Sequence, residues 1–246
     1  MYMLGVGTSP ETEILRELEG ARVLITGLSA ASGVDLARAF ADLKARLVIH
    51  TDDLSPEVTA LLALLSQSSS EIKLYTKAMT TSEATIQFAQ RAAQVFGGLD
   101  AVINIATIST AQLDSLKTDR NVDDLVASTL TPLAHLTHVT ANRMRVVFSE
   151  GLILNVLTMP EPRNGRDMAI ASLARTALAA MTRKEAEAWA DQAVRINAIA
   201  PRVMSGPSPA GACLNNEPDI AALALYLASR RGKTLSGHIF DASGMN

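Results

Sequence analysis

Two glycines, Gly27 and Gly33, follow a short apolar run over 22–26 (RVLIT) and lead into a segment, 34–43, whose apolar residues recur at helical spacing. A strand that turns through glycine into a helix offers unpaired backbone N–H groups and the positive end of a helix dipole, which together are chemistry for holding a phosphate. Any tight strand-to-helix turn also wants glycine, so the pair alone does not separate a phosphate cradle from a plain turn. At the end of the next apolar run, IHTDDL sets Thr51 and Asp52 where the hydroxyls of a ribose could be received. Asp52 and Asp53 serve equally well as a solvated turn that caps the following helix. Proton donors suited to catalysis are scarce: the tyrosines are Tyr2, Tyr75 and Tyr226, and none lies between the runs at 152–156 and 195–199. His135 and His138 stand one helical turn apart, but no third ligand or adjacent carboxylate accompanies them, and no metal site is expected.

These groups need a scaffold, and the hydropathy pattern supplies one. Further short apolar runs at 47–49, 72–75, 101–104, 152–156, 195–199 and 238–240 read as strands, separated by helical spacing over 61–65, 84–96, 124–144, 169–189 and 220–227. Seven strands interleaved with six helices predict an α/β fold: one doubly wound, Rossmann-type domain over 1–246, with 1–20 as an N-terminal extension and a seven-stranded, mostly parallel sheet covered by helices on both faces. The Pro/Gly/Ser-rich stretch 201–218 follows the C-terminal end of a strand, where open α/β sheets place their ligands.

Composition narrows the classes of function. Hydrophobic residues form 48% of the chain and charged residues 19%, which excludes a disordered segment and predicts a large aliphatic core. The net charge of −3, with lysines and arginines scattered, leaves no electrostatic footprint for nucleic acid or an anionic membrane. No apolar stretch reaches the roughly 18 residues of a membrane span, and the start lacks a secretory pattern. The lone Cys213 cannot form an internal disulfide, which fits a reducing, cytoplasmic setting.

The stretch TGLSAASGVDLARAF resembles the TGxxxGxG nucleotide loop of short-chain dehydrogenases/reductases. LDAVINIA, ILNV, VRINAIAP and LSGHIFDASGM then match further family motifs in order, and the resemblance, which extends to 3-oxoacyl reductase-like proteins, covers about nine-tenths of the chain. The resemblance implies an NAD- or NADP-dependent oxidoreductase. It assigns the cofactor contacts to Gly27, Ser29, Ala31, Ser32, Gly33, Thr51, Asp52, Asn104, Ala106 and Pro201. An acid at the second strand would repel a 2′-phosphate, so NAD is favoured over NADP.

The catalytic positions depart from the family. Its YxxxK tyrosine and lysine fall on Ala171 and Arg175, its serine on Thr158, and its asparagine on Thr129, or on Ser128 after one residue of slippage. Alanine has no proton to donate, and arginine is a poorer proton-relay partner than lysine. Ala31 replaces a loop glycine, Ile105 and Thr107 replace the second asparagine and the glycine of NNAG, Lys77 or Ala78 stands at an adenine contact, and Arg202 replaces the glycine after Pro201. The lid between Gly206 and Glu217 is short.

Two readings follow. One is an oxidoreductase whose carbonyl/alcohol hydride transfer is weak or absent; the other is a non-catalytic relative that binds a ligand or pairs with a partner. In either case the resemblance implies a homodimer or homotetramer built on the long helices after the fourth and fifth strands and on the C-terminal strand. The substrate is a small molecule that the sequence does not name.

Overall fold

Short runs of valine, isoleucine and leucine become strands because each is long enough to cross a sheet and apolar enough to be covered on both sides. In a computed structural model that describes residues 16–116, 119–203 and 214–243, they are β1 (Arg22–Thr26), β2 (Arg46–His50), β3 (Glu71–Tyr75), β4 (Ala101–Thr107), β5 (Gly151–Thr158), β6 (Val194–Pro201) and β7 (Ile239–Ala242). They form one sheet in the order β3-β2-β1-β4-β5-β6-β7, every neighbouring pair parallel, as expected of a doubly wound Rossmann-type fold. Central β5 is buried along its whole length, whereas edge strand β3 is largely open.

The helices are α1 (Val34–Asp42), α2 (Pro56–Ser68), α3 (Ser82–Ala92), α4 (Thr110–Ser115), α5 (Asp119–Val146), α6 (Gly165–Trp189) and α7 (Glu217–Ala228). Polar caps mark their starts: the side chains of Ser55, Thr81, Asn164 and Asn216 each accept an N–H from the first turn of the helix that follows. Helix α4 adds to the six expected. It is held by a capping box in which Ser109 and Gln112 satisfy one another's backbone N–H groups. Helix α3 ends at Ala92, short of the expected 96, and residues 93–96 continue as turns up to Gly97 at φ +76°.

The pleat of β1 sorts side chains to two cores. Val23 and Ile25 pack with Leu36 and Phe40 of α1, Leu61 of α2 and Ile220 and Leu227 of α7, while Leu24 packs with Phe88 of α3, Met144 of α5 and Trp189 of α6. A third cluster, with Leu157, Met159 and Ala171, lies towards the C-terminal ends of β5 and β6.

Two polar devices cross this apolar frame. At the start of β1 the Arg22 guanidinium grips the Asp100 carboxylate through Nε at 3.0 Å and an Nη at 2.5 Å, while the Arg22 backbone N–H adds a third bond at 2.8 Å. Deeper in, four buried side chains form a seam through β1, β4, β5 and α5. Thr26 donates to Asn104 Oδ1 at 3.2 Å, Asn104 Nδ2 donates to Asn155 Oδ1 at 2.9 Å, and Asn155 and Thr137 bond each other at 3.0–3.1 Å. Each group has a partner, so the seam escapes the penalty of an unpaired buried polar atom.

Candidate active site

The site is built at the C-terminal edge of β1, β4 and β5, where the strand order reverses. After β1 the chain turns at Gly27 (φ +75°) and enters α1 through Gly33 (φ +90°), whose missing β-carbon leaves room for Ile105 Cδ1, which would otherwise lie 2.7 Å away. Both glycines thus lie against Ile105, the residue that the sequence resemblance sets at the second asparagine of the family motif. The 27–33 turn closes on itself through paired backbone bonds between Ser29 and Ser32, and the Ser29 hydroxyl accepts the Ala31 N–H at 3.3 Å. Asp53, rather than Asp52, reaches this turn: its carboxylate accepts the N–H of Ala30 and of Ser55, each at 2.9 Å. Those bonds pull Asp53 below the usual aspartate range. Asp52 is exposed, and the buried Thr51 hydroxyl donates to the Leu28 carbonyl at 2.6 Å, tying the turn to β2.

A cleft of about 290 Å³ opens beside the turn. Ala31, Ser32 and Gly33 form one wall, Ile105 and Thr107 of β4 with Val156 and Thr158 of β5 the floor, and Asn215, Asn216, Glu217 and Ile220 the opposite wall. Thr107 and Thr158 face each other in register, hydroxyl to hydroxyl at 2.8 Å. Thr158 thus sits in the cleft with a hydroxyl able to bond a carbonyl.

The other expected groups lie elsewhere. Ala171 is fully buried in the third apolar cluster, beside Leu157 and Met159. Arg175, one turn further along α6, forms an ion pair with Asp241 of β7 and lines a separate cavity with Arg183 and His238. Thr129 turns its hydroxyl back to the Leu125 carbonyl at 2.8 Å, as Ser128 does at 3.0 Å. Asn104 belongs to the buried seam, Ala106 is half-buried near the end of β4, and Pro201 closes β6 opposite Ala242. The Lys77 carbonyl is bonded by His50 Nε2 at 3.0 Å, and the Arg202 N–H donates to the Ala242 carbonyl at 2.9 Å. Cys213 and the lid between Gly206 and Glu217 as far as residue 213 lie outside the described residues.

His138 pairs with Glu185 at 3.5 Å and packs on Trp189, a contact between α5 and α6. Among the described residues no group of three side chains could hold a metal ion, and no helix is long and apolar enough to cross a membrane.

Glu217 was not legible as a site residue. Asn216-Glu217-Pro218 announces a helix start, but nothing local says that the carboxylate will accept the Asp35 N–H of α1 at 3.0 Å. Burial pushes this carboxyl above the usual glutamate value. The N–H groups of Asp35, Leu36 and Gly33 oppose the rise, and the Asp35 charge adds to it.

Comparison with known proteins agrees with this fold. A family model described as short chain dehydrogenase matches residues 21–212. The 2-dehydro-3-deoxy-D-gluconate 5-dehydrogenase of Bacillus subtilis is 26% identical over 249 residues, covering 92% of this chain and 94% of that one. Among solved structures, a hydroxysteroid dehydrogenase from Escherichia coli superposes with a TM-score of 0.73 at 20% identity, over 94% of this chain and 98% of that one. A structure of ElxO with NADP bound gives 0.68 at 18% identity, over 91% and 98%.

Proposed function

Because the chain belongs to the short chain dehydrogenase family, we propose that it is an oxidoreductase-derived protein that takes a nicotinamide dinucleotide in the cleft beside the 27–33 turn, with carbonyl/alcohol hydride transfer weak or absent. The observation that carries the second half is Ala171, a fully buried methyl group where the family resemblance expects the acid. When bound, such a dinucleotide supplies hydride-transfer chemistry; the chain's part is to hold it and to manage the proton.

The fit to that cofactor is partial. The turn fits, since its glycines bring backbone close to the cleft and α1 points its N-terminus there. Asp52 and Asp53 at the end of β2 support NAD over NADP, because a carboxylate beside the ribose repels a 2′-phosphate. The ElxO structure contains NADP, which supports a nicotinamide dinucleotide for this chain without choosing between the two. The first turn of α1 fits less well, because Glu217 already accepts from it.

Proton delivery is where the chain falls short. Thr158, bonded to Thr107, can orient a carbonyl oxygen but is no acid near neutral pH. Arg175 is committed to Asp241 and lines the other cavity. General acid catalysis contributes roughly 10²- to 10⁴-fold, and turnover here should fall by that order.

The second reading, a ligand-binding or partner-pairing protein, draws on a surface groove of about 380 Å³ between α5 and α6, lined by Val126, Leu130, Leu173, Ala177 and Met181. That groove supports a homodimer or homotetramer built on these helices. The lone cysteine supports a cytoplasmic setting.

The deciding experiment is a titration of purified protein with NADH and NADPH, followed by fluorescence and thermal shift, with a turnover assay on a panel of ketones and sugar acids. Binding with turnover at least a hundredfold below an ordinary family reductase is expected. Turnover equal to such a reductase would refute the reading.

A further inference from the structure

The mouth of the cleft holds an anion for which the proposed chemistry has no use. Helix α1 begins at Gly33, which has no side chain to cap it, so the N–H groups of its first turn need an acceptor from elsewhere. Glu217 supplies one across 182 residues of sequence: Asp35 donates to Oε1 at 3.0 Å, and the neighbouring N–H groups of Leu36 and Gly33 favour its charged form. The carboxylate is delivered by tertiary structure. Helix α7 packs along α1, its C-terminal end is held by Arg195, which donates to the carbonyls of Leu227 and Gly232, and Asn216 caps its N-terminus so that Glu217 is its first residue.

Helix dipole and free N–H groups together make this first turn the place where a phosphate would be held. A carboxylate and a phosphate cannot share the same few donors, and Asp35 adds a second negative charge beside them. We propose that Glu217 is a resident anion in the phosphate seat of the cleft, and that a phosphate-bearing ligand enters only by displacing it. The competition follows from the contact itself; only the identity of the ligand as a dinucleotide rests on the reading above.

The test titrates inorganic pyrophosphate and, separately, NADH into the full chain carrying Glu217, E217Q or E217A. Melting curves without ligand establish that each variant folds. Both variants should bind pyrophosphate on the order of tenfold more tightly than the parent chain, the scale expected when a competing charge leaves a helix terminus. Amide resonances of Gly33, Asp35 and Leu36 should move in E217A and move again with pyrophosphate. Should E217A melt early, E217Q, which keeps an oxygen acceptor without the charge, carries the comparison. Affinities within twofold of one another, or no pyrophosphate binding by any of the three, overturn the proposal. NADH failing to bind all three while pyrophosphate tightens would remove the dinucleotide reading and leave the displaced carboxylate standing.

Discussion

The carbonyl oxygen of Ile105 lies 2.1 Å from the point where a β-carbon on residue 27 would sit. No side chain fits there, and the backbone of residue 27 is in the left-handed region at φ +75° as well.

Gly27→Ala should therefore lose about 2–4 kcal/mol, from overpacking against backbone together with left-handed strain. Gly97→Ala is the control. It shares a positive φ of +76° but meets nothing within 4 Å, so it should lose only about 1 kcal/mol. Urea denaturation of both variants checks the difference, and equal losses would mean that Ile105 yields easily.

Asp100→Asn should weaken the fold near neutral pH and not in acid. Burial pushes the Asp100 carboxyl up, but the hydrogen bonds and charge of Arg22, helped by the charge of Arg46, win and hold it below the usual aspartate range. A depressed carboxyl stabilises the fold fully above its unfolded value, about 3.9, and loses that contribution as pH falls through the lowered folded value. With the Asp100 side chain 39% exposed, solvent screening limits the loss in the variant to about 1 kcal/mol at pH 7. The two melting curves should begin to converge as pH falls past about 4 and meet only below the lowered folded value.

A tyrosine placed at residue 171 should not raise turnover. Ala171 is fully buried among apolar neighbours, so Ala171→Tyr overpacks that cluster by about 1–3 kcal/mol. Arg175 also stays engaged by Asp241. A lower melting temperature with unchanged ketone turnover is the expected result, and a hundredfold gain in turnover would contradict it.

Leu173→Glu probes the groove between α5 and α6. Leu173 is 41% exposed and apolar, and a charge there should shift an oligomer towards monomer in light scattering at micromolar concentration while leaving the melting temperature of the monomer within a few degrees. A parent chain already monomeric at that concentration would remove the prediction.

The strands and long helices were legible because buried parallel strands are short apolar runs and their covering helices repeat every three to four residues. Helix α4 was readable in principle from Ser109 and Gln112, a cap pair three residues apart, but six residues carry too little periodicity to be noticed. The site was legible as positions and not as partnerships. Gly33, Ala31, Ser32 and Thr158 line the cleft from which the family resemblance would have them act, whereas Thr51 and Asn104 spend their polar atoms inside the fold. Asp53 and Glu217 act through contacts fixed by the packing of β2 and α7, and such contacts leave no local trace.

The seam of Thr26, Asn104, Asn155 and Thr137 works like a key in a lock for the sheet. Sliding β4 by one residue against β1 and β5 would carry Asn104 to the opposite face and break its bonds to Thr26 and Asn155, leaving buried polar atoms unpaired. Strand alignment is thus fixed by groups whose hydrogen bonds run to one another inside the fold. A lineage can exchange its reactive side chains one after another while the frame beneath them keeps its alignment.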